Sequence, residues 1–208
     1  MISEEEVLTI FKEKGALIEG HFELSSGLHS GRYFQAALVL QYPLYADKLC
    51  RALAQLFEDK DVQLVISPAI GGIVVGQKVA EVLGTRAIFA ERREGERLIL
   101  RRGFKINPGE NVLVVEDVIT TGGSVKEIIK IVKESRGKLV GVGCLVNRSG
   151  KKMSFVVENT PLDKSVKREA VQLKSLLNLK LETYPKEKCP LCKRGLPVVK
   201  PGSKGSGI

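Results

Sequence analysis

Apolar residues along the chain keep two rhythms. Short unbroken apolar runs predict strands buried on both faces, and apolar residues spaced by three and four predict helices packed by one face. The clearest strand is Val112-Leu113-Val114-Val115. It runs into the polar stretch Glu116-Asp117-Val118-Ile119-Thr120-Thr121-Gly122-Gly123-Ser124, after which Val125, Ile128, Ile129 and Val132 recur at helical spacing. This predicts a strand, a polar loop and a helix to about residue 136, closed by Gly137.

The rest of the chain repeats that alternation. Ser3-Glu4-Glu5-Glu6 reads as a capping box, with Ser3 as N-cap and Glu6 at the third helical position. Val7, Leu8, Ile10 and Phe11 follow, and Gly15 ends that helix. Residues 16–24 read as short and partly extended, and 25–34 as a polar, glycine-bearing loop running into Tyr33 and Phe34. Pro43 suits the first turn of a helix over 42–57 with Leu44, Leu49, Leu53 and Leu56 on its apolar face. Strands are predicted over 62–66, 86–90, 139–146 and 153–157, and a helix over 73–83. Residues 91–105, rich in both charges around Glu94-Gly95-Glu96, read as a β-hairpin. Residues 165–184 fit a helix or short strands equally. Strands alternating with helices predict an α/β fold with a mainly parallel central sheet. One domain over 1–185 is expected, followed by a basic, loosely ordered tail over 186–208.

Composition narrows the function classes. The 43% hydrophobic content suits a globular chain. No run of 18 apolar residues predicts a membrane helix. The acidic start, Met1-Ile2-Ser3-Glu4-Glu5-Glu6, lacks the apolar core of a signal peptide, so a cytoplasmic location is expected by default. The net charge of +9 raises nucleic acid as a partner. However, residues 186–208 hold six Lys/Arg and one Glu, leaving only +4 for the rest. With 5% aromatic residues and no Trp, a stacking platform for single strands is also disfavoured. The expectation is a small-molecule enzyme with neither nucleic-acid nor membrane partners.

Cys50 and Cys144 fall at core positions of a helix and a strand. Cys189-Pro190-Leu191-Cys192 is half of a tetrahedral zinc site by spacing. Its other half is expected only from a symmetric partner chain. Three readings stay open: a reduced structural turn, a shared metal site, or a disulfide or redox pair. No side chains are assigned as metal ligands on this basis.

The chemistry concentrates at residues 116–124. Gly122 and Gly123 let the backbone wrap closely around an anion, and the hydroxyls of Thr120, Thr121 and Ser124 add donors at a helix N-terminus. Glu116 and Asp117 repel that anion and must face sugar hydroxyls, a metal or a developing cation. A grip for phosphate beside two carboxylates suits a ribose 5-phosphate. A Walker A loop is excluded, because the chain has no G-x-x-x-x-G-K-[ST]. Ser67-Pro68-Ala69-Ile70-Gly71-Gly72 is a second strand–loop–helix turn suited to an anion, and Arg148 stands at the end of the strand after the signature helix.

The stretch from Val112 to Val125 resembles the phosphoribosyl pyrophosphate signature of type I phosphoribosyltransferases. His21-Phe22-Glu23-Leu24-Ser25-Ser26-Gly27-Leu28-His29-Ser30-Gly31-Arg32-Tyr33-Phe34 resembles the N-terminal hood of the orotate phosphoribosyltransferases, and Asn147-Arg148 fits the same family. The resemblance spans about residues 7–158, and the C-P-L-C tail is similar to that of one bacterial and archaeal-type branch. It implies a type I phosphoribosyltransferase fold with a hood built from about 1–40 plus C-terminal segments. It also implies Mg²⁺-dependent transfer from 5-phosphoribosyl 1-diphosphate to orotate, by a homodimer.

Carried over by position, Thr120, Thr121, Gly122, Gly123 and Ser124 hold the 5′-phosphate, and Val118 and Ile119 belong to the same substrate-binding stretch. Glu116 and Asp117 bind the ribose and steady its cationic transition state. Arg148 and Thr120 address orotate under Ser26, Tyr33 and Phe34. Ala69, Ile70, Gly71 and Gly72 form the diphosphate loop. The hairpin becomes a lid with Arg92 and a catalytic Arg93. The chain departs from many orotate enzymes by having Ser25 and Gly71 where they carry lysines, and by a shorter, arginine-rich lid. Two rivals are weighed. A phosphoribosyltransferase for a purine has no use for a carboxylate-pairing Arg148. A nucleic-acid-binding regulator needs a binding element that residues 1–24 are too short to form.

Overall fold

The computed structural model describes residues 2–24, 26–92, 97–157 and 169–201. Its core is a seven-stranded sheet. The strands in chain order are β3 (Leu64–Pro68), β4 (Arg86–Arg92), β5 (Leu98–Leu100), β6 (Asn111–Ile119), β7 (Lys138–Asn147), β8 (Ser154–Val157) and β9 (Glu169–Asn178). They lie in the order β5-β4-β3-β6-β7-β9-β8. The inner pairs β4–β3, β3–β6, β6–β7 and β7–β9 are parallel, and only the edge strands β5 and β8 run antiparallel. This is the expected α/β architecture. A second, three-stranded sheet of β1 (Leu17–Glu23), β2 (His29–Phe34) and β10 (Thr183–Tyr184) forms the hood.

The inner strands are apolar throughout because helices cover both faces. On one side pack α1 (Glu4–Glu13), α2 (Ala37–Leu40), α3 (Pro43–Gln55) and α4 (Gly72–Leu83), burying Phe11, Leu49, Leu53 and Val79 against Val65, Leu113 and Leu145. On the other lies α5 (Gly123–Glu134), whose Val125, Ile128 and Val132 cover Leu64, Val114 and Val142. Cys50 and Cys144 are buried in these two cores as expected, and burial pushes the Cys50 thiol up to about 12. Ser3 caps α1 by accepting from the Glu6 N–H at 3.1 Å. The Glu6 carboxylate turns to Lys48 instead, so only half of the capping box forms.

Several expectations are corrected. Strand β6 runs through Glu116 and Asp117 to Ile119, because β7 pairs alongside it as far as Asn147. The true loop is only the turn at 120–122. Residues 29–34 are a strand, not loop, because β1 supplies an antiparallel partner from Glu23↔His29 to Leu17↔Phe34. Leu44 is exposed rather than on the buried face of α3. The ambiguous stretch contains strands β9 and β10. The tail is not loose up to residue 201: it forms a 3-10 turn (Lys186–Lys188) and a short helix α6 (Pro190–Lys193). Val199 then bonds both ways to the hood, Val199 N–H to His21 O at 2.8 Å and Glu23 N–H to Val199 O at 2.9 Å. The hairpin expected over 91–105 is present as β4–β5, with Arg92↔Leu98 in register. Its tip, including Arg93, lies outside the described residues.

Candidate active site

A cleft of about 570 Å³ opens at the carboxyl end of β6, where open α/β sheets place their ligands. Its floor is the pair Glu116 and Asp117, its back wall the turn Thr120–Ser124, and its roof the hood residues Ser26, Tyr33 and Phe34. Val118, Arg92 and Arg148 complete the predicted residues that line it. A second cleft of about 590 Å³ meets the first at Ser26, Thr120, Thr121 and Arg148 and continues past Lys151, Lys152 and Lys180.

The turn is shaped for an anion. Gly122 has φ +75° and ψ +18°, the left-handed region, immediately before the first residue of α5. A Cβ there would also stand 3.0 Å from Met153 Cε and 3.3 Å from the Phe155 ring, so both conformation and space demand glycine. The N–H groups that open α5 thereby face the cleft, with the positive end of the helix dipole behind them.

The two carboxylates have a different environment. Burial and the neighbouring Asp117 push Glu116 up to about 8, against a hydrogen bond from Ser124. The Asp117 carboxyl is likewise raised by burial, against backbone hydrogen bonds. Asp117 also lifts the Tyr33 phenol, second to burial. Among the described residues no Lys or Arg forms an ion pair with either carboxylate. Two enclosed acids side by side without a cation make a site whose charge is completed by a positive ligand. Such hard oxygen donors fit Mg²⁺ as well as a ribosyl cation. Gly71 packs directly on this pair: a Cβ there would lie 2.6 Å from Asp117 Oδ2.

Arg148 carries the opposite charge. It is 4% exposed, and burial lowers its pKa, working against its charge. Its Nη2 donates to Arg32 O at 3.2 Å and to Ser30 Oγ at 3.4 Å, which ties the side chain to hood strand β2. Its backbone is fixed too. Arg148 N–H donates to Ile119 O at 2.9 Å, and the turn is locked by Asn147 Nδ2 donating to Lys151 O and by Ser149 donating to Asn147 Oδ1. No carboxylate pairs with this buried guanidinium among the described residues.

Other predicted residues sit differently. The Ile119 side chain is 1% exposed in the core, so only its carbonyl serves the site, by holding Arg148. Ala69, Ile70, Gly71 and Gly72 are not among the residues that line the cleft; Ile70 is exposed, and the loop borders the site through Gly71 beside Asp117. Two further polar residues of the hood segment lie outside the cleft lining: His29 bonds to His21, and Arg32 pairs with Glu19 at the surface. Arg92 is tied down, with Nη2 2.6 Å from Glu127 Oε1. Glu127 Oε2 in turn accepts from Leu98 N–H, so α5 clamps the hairpin base. Arg101 and Arg102 pair with Glu91. Glu23, Gln35, Glu127 and Pro201 also line the cleft and were not singled out from sequence. Glu127 follows Ser124 by three residues on the same helix face, a usable signal. Pro201 reaches the cleft only because the tail folds back.

The pattern of the phosphoribosyl transferase domain matches residues 37–170. The chain is 51% identical to an orotate phosphoribosyltransferase of Desulforamulus reducens over 98% of each chain. It is 50% identical to one of Caldicellulosiruptor saccharolyticus, again over 98% of each. In architecture it is similar to the crystal structure of orotate phosphoribosyltransferase from Aeropyrum pernix, with TM-score 0.63 and 24% identity over 91% of this chain and 98% of that one.

Proposed function

The chain belongs to the orotate phosphoribosyltransferases, and from that premise we propose how its cleft carries the transfer of ribose 5-phosphate from 5-phosphoribosyl 1-diphosphate to orotate. The observation that carries this reading is the pairing of opposites across one cleft: among the described residues, a buried guanidinium without a carboxylate partner and two enclosed carboxylates without a cation. Orotate brings the anion for the first, and the ribose brings a developing cation for the second.

In this reading the 5′-phosphate seats on the N–H groups and hydroxyls of Thr120–Ser124. Glu116 and Asp117 then face the ribose hydroxyls and the anomeric carbon. As the bond from that carbon to the diphosphate oxygen breaks, positive charge develops over the ring, and ionised carboxylates fixed nearby lower its energy. A ring nitrogen of orotate forms the new bond and gives up its proton to the departing diphosphate. Arg148, fixed by Ser30 and Arg32, holds the orotate carboxylate so that the nitrogen meets the sugar. Tyr33 and Phe34 close the roof. Mg²⁺, which Glu116 and Asp117 could hold together with the donor's hydroxyls, would supply charge neutralisation for the leaving diphosphate. The loop with Gly71 and Gly72 borders that leaving group. The Arg92–Glu127 clamp positions the hairpin, whose tip we assign as the lid. We further propose a homodimer, in which that lid also serves the neighbouring subunit, and a cytoplasmic working site.

The test is turnover with 5-phosphoribosyl 1-diphosphate and Mg²⁺ against orotate, uracil, hypoxanthine and adenine. Selective consumption of orotate is expected. Turnover of another base without orotate overturns the reading.

A further inference from the structure

Away from the cleft, four side chains from opposite ends of the chain meet. We propose that His21, His29, Cys189 and Cys192 form a structural zinc site that clasps the C-terminal segment onto the hood. Their donor atoms all lie within 4.8 Å of one another. His21 Nε2 stands 3.6 Å from both sulfurs, and His29 Nδ1 stands 3.3 Å from Cys192 Sγ. Zinc bound tetrahedrally at ~2.05 Å from nitrogen and ~2.3 Å from sulfur sets the N···S edge at about 3.5 Å, which these distances bracket. The His21 Nε2···His29 Nδ1 distance of 2.8 Å is shorter than the matching edge of about 3.3 Å, so ligation parts the two rings slightly.

The framework around the four is built for this. His21 lies at the register shift of β1 between Glu19 and Phe22, and its ring stands 4.9 Å from that of His29 on the paired strand β2. Cys189 precedes α6 and Cys192 follows one turn later, the C-x-x-C spacing that presents two sulfurs to one ion. His21 Nδ1 is 2.8 Å from Leu196 O, which requires its proton on that nitrogen and turns the Nε2 lone pair inward. A backbone carbonyl holding the far nitrogen of an imidazole is the usual support of a zinc-binding histidine. His21, His29 and Cys189 are buried, at 4%, 3% and 0% exposed. Two thiolates and two imidazoles favour zinc over hard cations, and four protein donors leave no open position for catalysis. The second pair of ligands thus comes from this chain's own hood, not from a symmetric partner.

The clasp has a consequence for the cleft. His29 precedes Ser30, whose hydroxyl accepts from Arg148, and the clasped tail delivers Pro201 to the cleft wall. A loosened clasp therefore loosens the strand that orients Arg148.

The test begins with wild-type protein prepared without a metal-chelating tag. Elemental analysis is expected to find one zinc per chain, and X-ray absorption two nitrogen and two sulfur neighbours. Exchange with Co²⁺ is expected to give tetrahedral visible bands and a thiolate-to-cobalt charge-transfer band. Cys192→Ser and His21→Ala are expected to lose stoichiometric zinc and melt at lower temperature. If a variant fails to fold, the wild-type spectra decide alone. Substoichiometric zinc after zinc repletion together with no charge-transfer band, or a Cys189–Cys192 disulfide in place of metal, overturns the proposal. Where Cys192→Ser folds, a larger rise in KM for orotate than for the ribosyl donor is expected. That last readout rests on the role proposed for Arg148, whereas the metal content does not.

Discussion

Gly71 offers a substitution whose effect can be worked from one contact. Its backbone is helical, with φ −56° and ψ −41°, so alanine there meets no backbone strain. The added Cβ would lie 2.6 Å from Asp117 Oδ2 and 3.0 Å from Cγ, where ordinary contact begins at 3.4 Å. The carboxylate must therefore retreat by roughly 0.8 Å, and misplacement of a positioned group by about 1 Å costs about 10²-fold in rate. Gly71→Ala should lower kcat/KM about 100-fold, or ~2.7 kcal/mol of transition-state stabilisation. Since the clashing atom is the free end of a side chain, stability should fall by no more than about 1 kcal/mol. Initial rates of orotate loss at varied donor concentration measure the first quantity, and thermal melts the second. A double-mutant cycle makes the argument specific. Once Asp117→Ala has removed the carboxylate, adding Gly71→Ala should cost less than about twofold further. The reasoning fails if Gly71→Ala turns over near the wild-type rate, or if the two losses multiply.

Three more outcomes follow from the same site. Arg148→Ala should reduce kcat/KM for orotate by about 10²-fold or more, the scale for truncating one partner of a buried charge pair, with donor KM nearly kept; Arg148→Lys should not restore it, because an ammonium cannot reproduce the fork. Unchanged orotate kinetics would falsify its role. Glu116, raised from 4.5 to about 8, keeps its proton in the folded chain over a pH range where the unfolded chain has released it. Stability of the ligand-free protein should therefore fall as pH rises through that window, and the melting-temperature advantage of Glu116→Gln should widen from the acid side up to about pH 8; a pH-independent difference contradicts this. Gly122→Ala, forced into a left-handed conformation against Met153, should destabilise by about 1–3 kcal/mol, read as a lower melting temperature, and an unchanged melt would show that the turn relaxes freely.

How much of this was legible in the sequence depended on distance along the chain. The inner strands and their helices were readable because unbroken apolar runs and helical spacing are local signals of two-sided and one-sided burial. Residues 116–124 were readable as chemistry for the same reason, since the phosphate grip and the acidic pair adjoin. The end of β6 was not, because Glu116 and Asp117 look like loop until β7 pairs beside them. Arg148 was placed correctly at a strand end. Its tether to Ser30 and Arg32, more than a hundred residues away, had no local trace. Nor did the pairing of Arg92 with Glu127, 35 residues away, which makes a clamp of a residue expected in the lid.

The sharpest case is the tail. C-x-x-C gives two ligands, and the other two are expected from sequence only in a symmetric partner chain. In the fold Cys192 Sγ stands 3.3 Å from His29 Nδ1, 163 positions away, because β1 and β2 form a hairpin that Val199 joins. A compositional signal was available. The chain has only two histidines, both in the hood segment, so any second pair of imidazole ligands had to come from there. Burial supplies the physical reason that the four converge: packing histidines and thiols away from water is costly unless they find partners. A clasp that satisfies all four donors at once removes that cost and explains why a basic tail with few apolar residues stays folded on the roof of the cleft.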